Sequence, residues 1–270
     1  MSWLSLRAAI VVAAVYGYFL IFAQFSFVEL LRAGGADLTQ EKIALGVMAV
    51  AGTSGGFFAA WRGASPQLVR IALALAGLSA GLAPCLKVMP GALGVAVVTG
   101  AAIGMATVSL AALLPAWCGV IWVGLGTGLG YAICNFPAVF TQSPTGQAWV
   151  GAAFACMGLL AVPSVTEWRV KESTRIFPMW GALALFTALV WMDSAAFFII
   201  QHAEDLKSGT WGESLLWRNA AVHFSIAIVA GIWLARGGAR ILPALAWLLL
   251  AVAGLAVNQK SYASRKDTFR

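Results

Sequence analysis

The sequence predicts an all-α protein, a polytopic transmembrane helix bundle of about nine spans, on three observations. Apolar residues make up 61% of the chain and charged residues 10%, against about 25% charged in a soluble domain. Mean hydropathy is +0.88, and apolar runs long enough for the ~20 residues of a membrane-crossing helix recur from end to end. Third, the chain starts over. The passage LIFAQFSFVELLR, a polar loop and a run ending AWRGASPQLVRIALALAGLSAG returns as LVWMDSAAFFIIQ, a polar loop and a run ending LARGGARILPALAWLLLAVAG. The offset is 169 residues at Gln24 and Asp193 and 174 at Arg62 and Arg236, the difference being one short loop insertion, which costs little. Two copies of one helical unit in an apolar chain point to a transporter scaffold.

Charged residues, Pro and Gly punctuate the runs and set the spans in order. The first covers 9–32; it has no small-residue cleavage site and many spans follow, so it is a retained helix and not a secretion signal. The second, 43–61, and third, 68–86, flank a short basic turn, and the fourth covers 92–116. The fifth, 118–140, is rich in glycine, and the sixth, 146–163, completes a six-helix half at 1–163. A charged linker at 164–175 separates it from spans at 176–201, 215–235 and 240–258, a partial second half of three helices over 176–258. A basic tail, 259–270, closes the chain.

Cytoplasmic loops hold an excess of Lys and Arg. With the N-terminus cytoplasmic, that side receives Arg7, Arg62, Arg70, Arg169, Lys171, Arg175, Arg236 and Arg240, and the other receives Arg32, Lys42, Lys87, Lys207 and Arg218. Nine spans then put the tail, with Lys260, Arg265, Lys266 and Arg270, on the wrong side. Either one span is wrong, or the chain stops where a longer transporter would have continued into a tenth helix; the internal repeat favours the second expectation.

The six-helix half, the linker TEWRVKESTR and the restart at the seventh span resemble the plan of the major facilitator superfamily. The basic turn from Trp61 to Arg70 resembles that family's loop between helices two and three, and the turn from Ala235 to Arg240 its repeat between helices eight and nine. The family loop carries an acidic residue before its Arg and Gly. Neither turn here has an Asp or Glu, so the charge relay of that loop lacks its acid. The stretch GLGTGLGYAICNFP, with Gly124, Gly126, Gly128, Gly130 and the late Pro137, resembles the family's Gly- and Pro-rich fifth helix. The resemblance implies an alternating-access secondary transporter with six plus three of its helices present.

Gly124 with Gly128, Gly126 with Gly130, and Gly100 with Gly104 put small residues on one helix face, where backbones approach closely. Packing alone explains them. A phosphate-cradling loop needs a strand before its glycines, and this stretch lies inside a span.

Polar residues at membrane depth are the candidate site, since an intramembrane charge costs at least ~2.5 kcal/mol and faces a cavity or a partner. Asp193 lies about eight residues, ~12 Å, from the outer end of the seventh span. His223 on the eighth span and Gln24 on the first share that depth, with Asn135 on the fifth slightly nearer the outer face and Glu29 near the end of the first. Asp193 is the candidate proton or cation carrier, because a carboxyl taken out of water can load and release a proton. The bland reading is a structural hydrogen bond to Ser194, His223 or backbone. His223 is either a charge switch or metal ligand, or a hydrogen-bonded helix residue. Gln24 and Asn135 either bind a polar substrate or tie helices together.

His202, Glu204, Asp205 and Glu213 form an unpatterned run between the seventh and eighth spans, read as a solvated loop and not a metal site. Cys85, Cys118, Cys134 and Cys156 show no paired spacing and read as packing residues. No haem attachment motif occurs, and no cofactor or metal is expected. Trp61, Trp117, Trp168, Trp180, Trp211 and Trp217 near span ends fit aromatic belts. The net charge of +7 suits anionic headgroups and not nucleic acid. No nucleophile, base and orienting group share a predicted face, so no enzyme is expected.

Two readings remain. In one the chain is a secondary transporter in a cell's inner membrane, moving a small solute or ion by symport or antiport, with proton coupling through Asp193. In the other it is a non-transporting subunit of a larger membrane complex, binding a partner through its incomplete second half.

Overall fold

The computed structural model describes residues 3–85, 88–164 and 213–237, and every regular element among them is helical. The helices are α1, Trp3–Ala33; α2, Leu38–Arg62; α3, Pro66–Leu82; α4, Met89–Trp117; α5, Val120–Cys134; α6, Pro144–Ala161; and α7, Glu213–Ala235. A 3-10 turn, Ala83–Cys85, prolongs α3, and a single helical turn, Pro137–Phe140, lies between α5 and α6. The predicted linker, the seventh and ninth spans and the tail lie outside the described residues; α7 is the predicted eighth span. Five helices are long and apolar enough to cross a membrane: α1, α2, α3 with its added turn to Cys85, α4, and α7 from Leu215 onward.

Helix ends follow from local chemistry. The Asp37 carboxylate accepts from the Gln40 backbone N–H at 2.8 Å while Gln40 Oε1 accepts from the Asp37 N–H at 3.0 Å, a reciprocal cap that starts α2. That polar first turn is helical although it adds nothing to hydropathy, so α2 begins at Leu38 and not at 43 as the apolar run predicts. Gly63, at φ 85°, ends α2 where a side chain would be strained. Ser65 then caps α3 at Leu68 N–H ahead of Pro66 in the first turn, and Ser143 with Pro144 does the same for α6.

The predicted fifth span is two pieces. Proline restricts the residue before it to extended backbone, and Phe136, at φ −69° and ψ 129°, breaks the helix ahead of Pro137. Composition shows an unbroken apolar run there; backbone sterics divide it.

α1 is the hub. In its apolar window 67% of residues are buried, against 22% in α2 and 17% in α7. It packs on α5 and α6, while α3 packs on α4 and α6, and α4 on α2. Glycines bring these helices together. A Cβ on Gly100 would run into the Met48 carbonyl, and one on Gly104 into that of Gly52, so α4 lies backbone to backbone against α2. On α5, Gly126 and Gly130 face Ala9 and Ala13 of α1, while Gly124 and Gly128 face Ala227 and Phe224 of α7. Close packing is what the glycine spacing predicted.

Arginines fasten both ends of α1. Arg7 donates to the carbonyls of Ala161 at 3.0 Å and Val162 at 2.7 Å. Arg70 on α3 donates to those of Val162 at 3.2 Å and Pro163 at 3.3 Å. Two cations thus close the carbonyl end of α6, where the helix dipole is negative. At the other end of α1, Arg32 forms a two-bond pair with Glu41 of α2, at 2.8 and 3.1 Å, and a bond to Glu29 at 3.1 Å.

Candidate functional site

Where α5 meets α7 and α1, aromatic rings form a column. Because Gly124 and Gly128 lack side chains, α7 comes close enough to α5 for His223 to lie flat on Tyr131. Their ring centres are 4.9 Å apart and their planes differ by 4°. Tyr16 of α1 follows on Tyr131, at 5.7 Å and 41°. An imidazole stacked this way keeps both ring nitrogens at its edge for hydrogen bonds or a proton.

Asn135 belongs to the same group. It ends α5, 9% exposed, and its side-chain amide donates to the Tyr131 carbonyl at 2.9 Å. That bond holds one arm of the amide on a carbonyl that also accepts the Asn135 backbone N–H at 3.0 Å. The structure therefore brings Asn135 and His223 to a common partner, Tyr131. Gln24 is half-buried eight residues beyond Tyr16 on α1, within a π-helical segment, Phe19–Ser26, that packs against α6. Asp193 lies outside the described residues, as do His202, Glu204 and Asp205. Among the described residues no three His, Cys, Asp or Glu side chains gather as a metal site would require.

Beside the column is an apolar groove of about 430 Å³ between α5 and α7, lined by Ile133, Phe136, Val139, Trp217, Ala221 and Phe224 among others. Phe136 and Trp217 meet edge to face across it, with centres 4.5 Å apart.

Of the basic turns, Arg62 is exposed at the end of α2, whereas Arg70 is committed to α6 carbonyls. Arg236 follows α7, its N–H bonded to the Trp233 carbonyl at 3.1 Å, and Gly237 has φ 96°. Arg240 lies outside the described residues.

Composition and hydropathy missed a second polar group in the interior of the six-helix half. The Tyr18 hydroxyl on α1 lies 2.8 Å from Ser79 Oγ on α3 and 3.4 Å from Thr99 Oγ1 on α4, and Thr99 donates to Ser79 at 3.1 Å. All three residues are buried. Hydropathy averages conceal lone hydroxyls inside apolar runs; their placement on the first, third and fourth spans was the available signal.

Together these features define a class: an all-helical bundle with helices able to cross a membrane and an aromatic and polar group where three of them meet. Comparison of the chain with protein-family models, with curated proteins and with solved structures finds no match.

Proposed function

We propose that the chain is an integral membrane secondary transporter of the major facilitator kind, with a cytoplasmic N-terminus in a cell's inner membrane, moving a small solute coupled to a proton. The observation that carries this reading is the Tyr16–Tyr131–His223 column with Asn135 attached. It sets a titratable ring and a side-chain amide at the junction of three helices, in a chain whose charged residues are scarce. Asp193 is the proposed proton carrier, His223 its relay, and Gln24 and Asn135 the solute-binding amides.

The test is an imposed pH gradient across proteoliposomes containing the purified chain and an internal pH dye, challenged with a panel of sugars, amino acids, organic acids and amines. A solute that collapses the gradient faster than in empty liposomes supports transport. Asp193→Asn then abolishes the coupled proton movement, and His223→Ala slows it at least tenfold, about 1.4 kcal/mol in barrier.

The apolar groove between α5 and α7 favours a second reading, a non-transporting subunit that seats a partner's apolar helix there. Absence of gradient collapse with every solute, together with co-purification of one stoichiometric membrane protein that Ala221→Trp releases, puts the subunit reading first.

A further inference from the structure

α1 changes its winding in mid-course. It is α-helical over Trp3–Tyr18 and Phe27–Ala33 but π-helical over Phe19–Ser26, eight residues. The i→i+5 bonding of a π turn accommodates an extra residue within an α-helix, and long π runs are rare. The stretch FLIFAQFS contains neither Pro nor Gly, which are common causes of a helix irregularity.

The helix is anchored just before this segment and again from its last residue, Ser26, onward. On the inner side Gly17 offers its carbonyl to the Cys134 thiol at 3.5 Å, and the Tyr18 hydroxyl joins Ser79 and Thr99. On the outer side Ser26 Oγ donates to the Pro144 carbonyl at 2.7 Å, and Arg32 is held by Glu41. Each anchor lies on a different helix or loop, so each fixes the rotational phase of its own part of α1. Between them Phe22 rests on Gly151 of α6, where an added Cβ would lie 2.7 Å from Phe22 Cβ. The wide turn thus has a recess made for it by a missing side chain.

We propose that Phe19–Ser26 is a register hinge: one surplus residue between two fixed anchors, whose π turn shifts along the segment and turns Gln24 by up to about 100° around the helix axis. Each i→i+5 bond competes with an i→i+4 bond of similar energy, so the surplus can move without disturbing either anchor. The hinge supplies a local motion for the transporter reading, on which only the purpose of turning Gln24 rests. The motion itself needs no solute.

Deleting one residue of the segment removes the surplus and leaves both anchors in phase; deleting one residue of the regular helix between Arg7 and Tyr18, where there is no surplus, puts those two anchors out of phase with each other. The variants are deletion of Ala23, in the π segment, and of Ala13, in the α-helical part, each losing only a methyl side chain. The full chain lacking Ala23 is expected to melt in detergent within about 5 °C of the parent, while the chain lacking Ala13 gives no cooperative transition. Equal loss of folding in both overturns the proposal.

A second measurement reads the motion. With Cys85, Cys118 and Cys156 replaced and the buried anchor Cys134 kept, spin labels at Gln24→Cys and at Leu78→Cys, an exposed site on α3, are expected to give two distance populations in the parent and a single one after deletion of Ala23. A single unchanged distance in both overturns the hinge. Failure of the parent to move any solute bears on the transporter reading alone, because neither the melting nor the distance measurement uses a solute.

Discussion

Tyr18 shows how a single hydroxyl is held in the most buried helix. Its partners, Ser79 and Thr99, belong to α3 and α4, so one phenol ties three helices. Interhelical hydrogen bonds inside membranes contribute on average about 0.6 kcal/mol and at most about 1.7. Tyr18→Phe is therefore expected to destabilise the folded state by about 0.6–1.7 kcal/mol, read by reversible unfolding in mixed micelles. Ser79 and Thr99 remain bonded to each other in that variant, which is why the loss stays small. Thr99→Val together with Tyr18→Phe should cost less than the sum of the single changes, since both act on one network.

Cys118, between α4 and α5, behaves differently. Burial pushes its thiol up to about 11. The thiolate is the reactive form, so at pH 7.5 almost none is present and its share grows about tenfold per pH unit until the pKa is approached. In a variant with Cys118 as the remaining cysteine, maleimide labelling is expected to be slow at pH 7.5 and roughly ten times faster at pH 8.5. A rate already at its plateau at neutral pH contradicts the burial.

At the scale of elements, the helices meet through glycine. Gly104 faces the carbonyl of Gly52 and the backbone of Gly56, which cannot move aside as a flexible side chain would. Gly104→Ala is expected to push α2 from α4 and cost about 1–3 kcal/mol, the usual range for overpacking. The control is Gly94→Ala on the same helix, which meets nothing and should be neutral or stabilising because alanine favours the helix. A similar loss from both would mean that helix propensity, and not the α2–α4 approach, decides the outcome.

The glycine faces were legible in the sequence because a spacing of four is itself a geometric statement. The π segment was not, because FLIFAQFS carries the same apolar signal in either winding and its phase is fixed by partners distant in the chain, Ser79, Cys134 and Pro144. The same holds within the candidate site. Asn135 and His223 were legible as polar residues in apolar runs. Tyr16 and Tyr131, which join them to α1, were not, since a tyrosine in an apolar run carries no comparable polarity signal. Pro137 marks the division of the predicted fifth span through the restriction it puts on Phe136, but an apolar run of span length carries no trace of that break.

For the molecule as a whole, two of its helix-ending turns are built on glycine. Gly63 after α2 and Gly237 after α7 stand at the repeat offset and share the left-handed backbone, at φ 85° and 96°. Each turn uses a positive φ that glycine's missing side chain permits. Around α1 the charges divide by end. Arg7 and Arg70 meet at the α6 carbonyls, Arg62 lies just across the Gly63 turn from α3, and Arg32 with Glu29 and Glu41 occupies the opposite tip. In the orientation proposed above the arginine-rich end faces the cytoplasm, although Arg7 and Arg70 also serve as caps. Sidedness can be read directly on two loops of α2, one at each tip. Single cysteines at Gly34, an exposed position of ordinary backbone before the Asp37 cap, and at Ala64, after Arg62, are placed in a variant otherwise free of cysteine and exposed to a membrane-impermeant maleimide in intact cells and in inverted vesicles. The Ala64 cysteine is expected to react only in inverted vesicles and the Gly34 cysteine only in intact cells. The reverse pattern would turn the molecule over and place the arginine end outside. Reaction of both from the same side would mean that α2 does not cross the membrane at all.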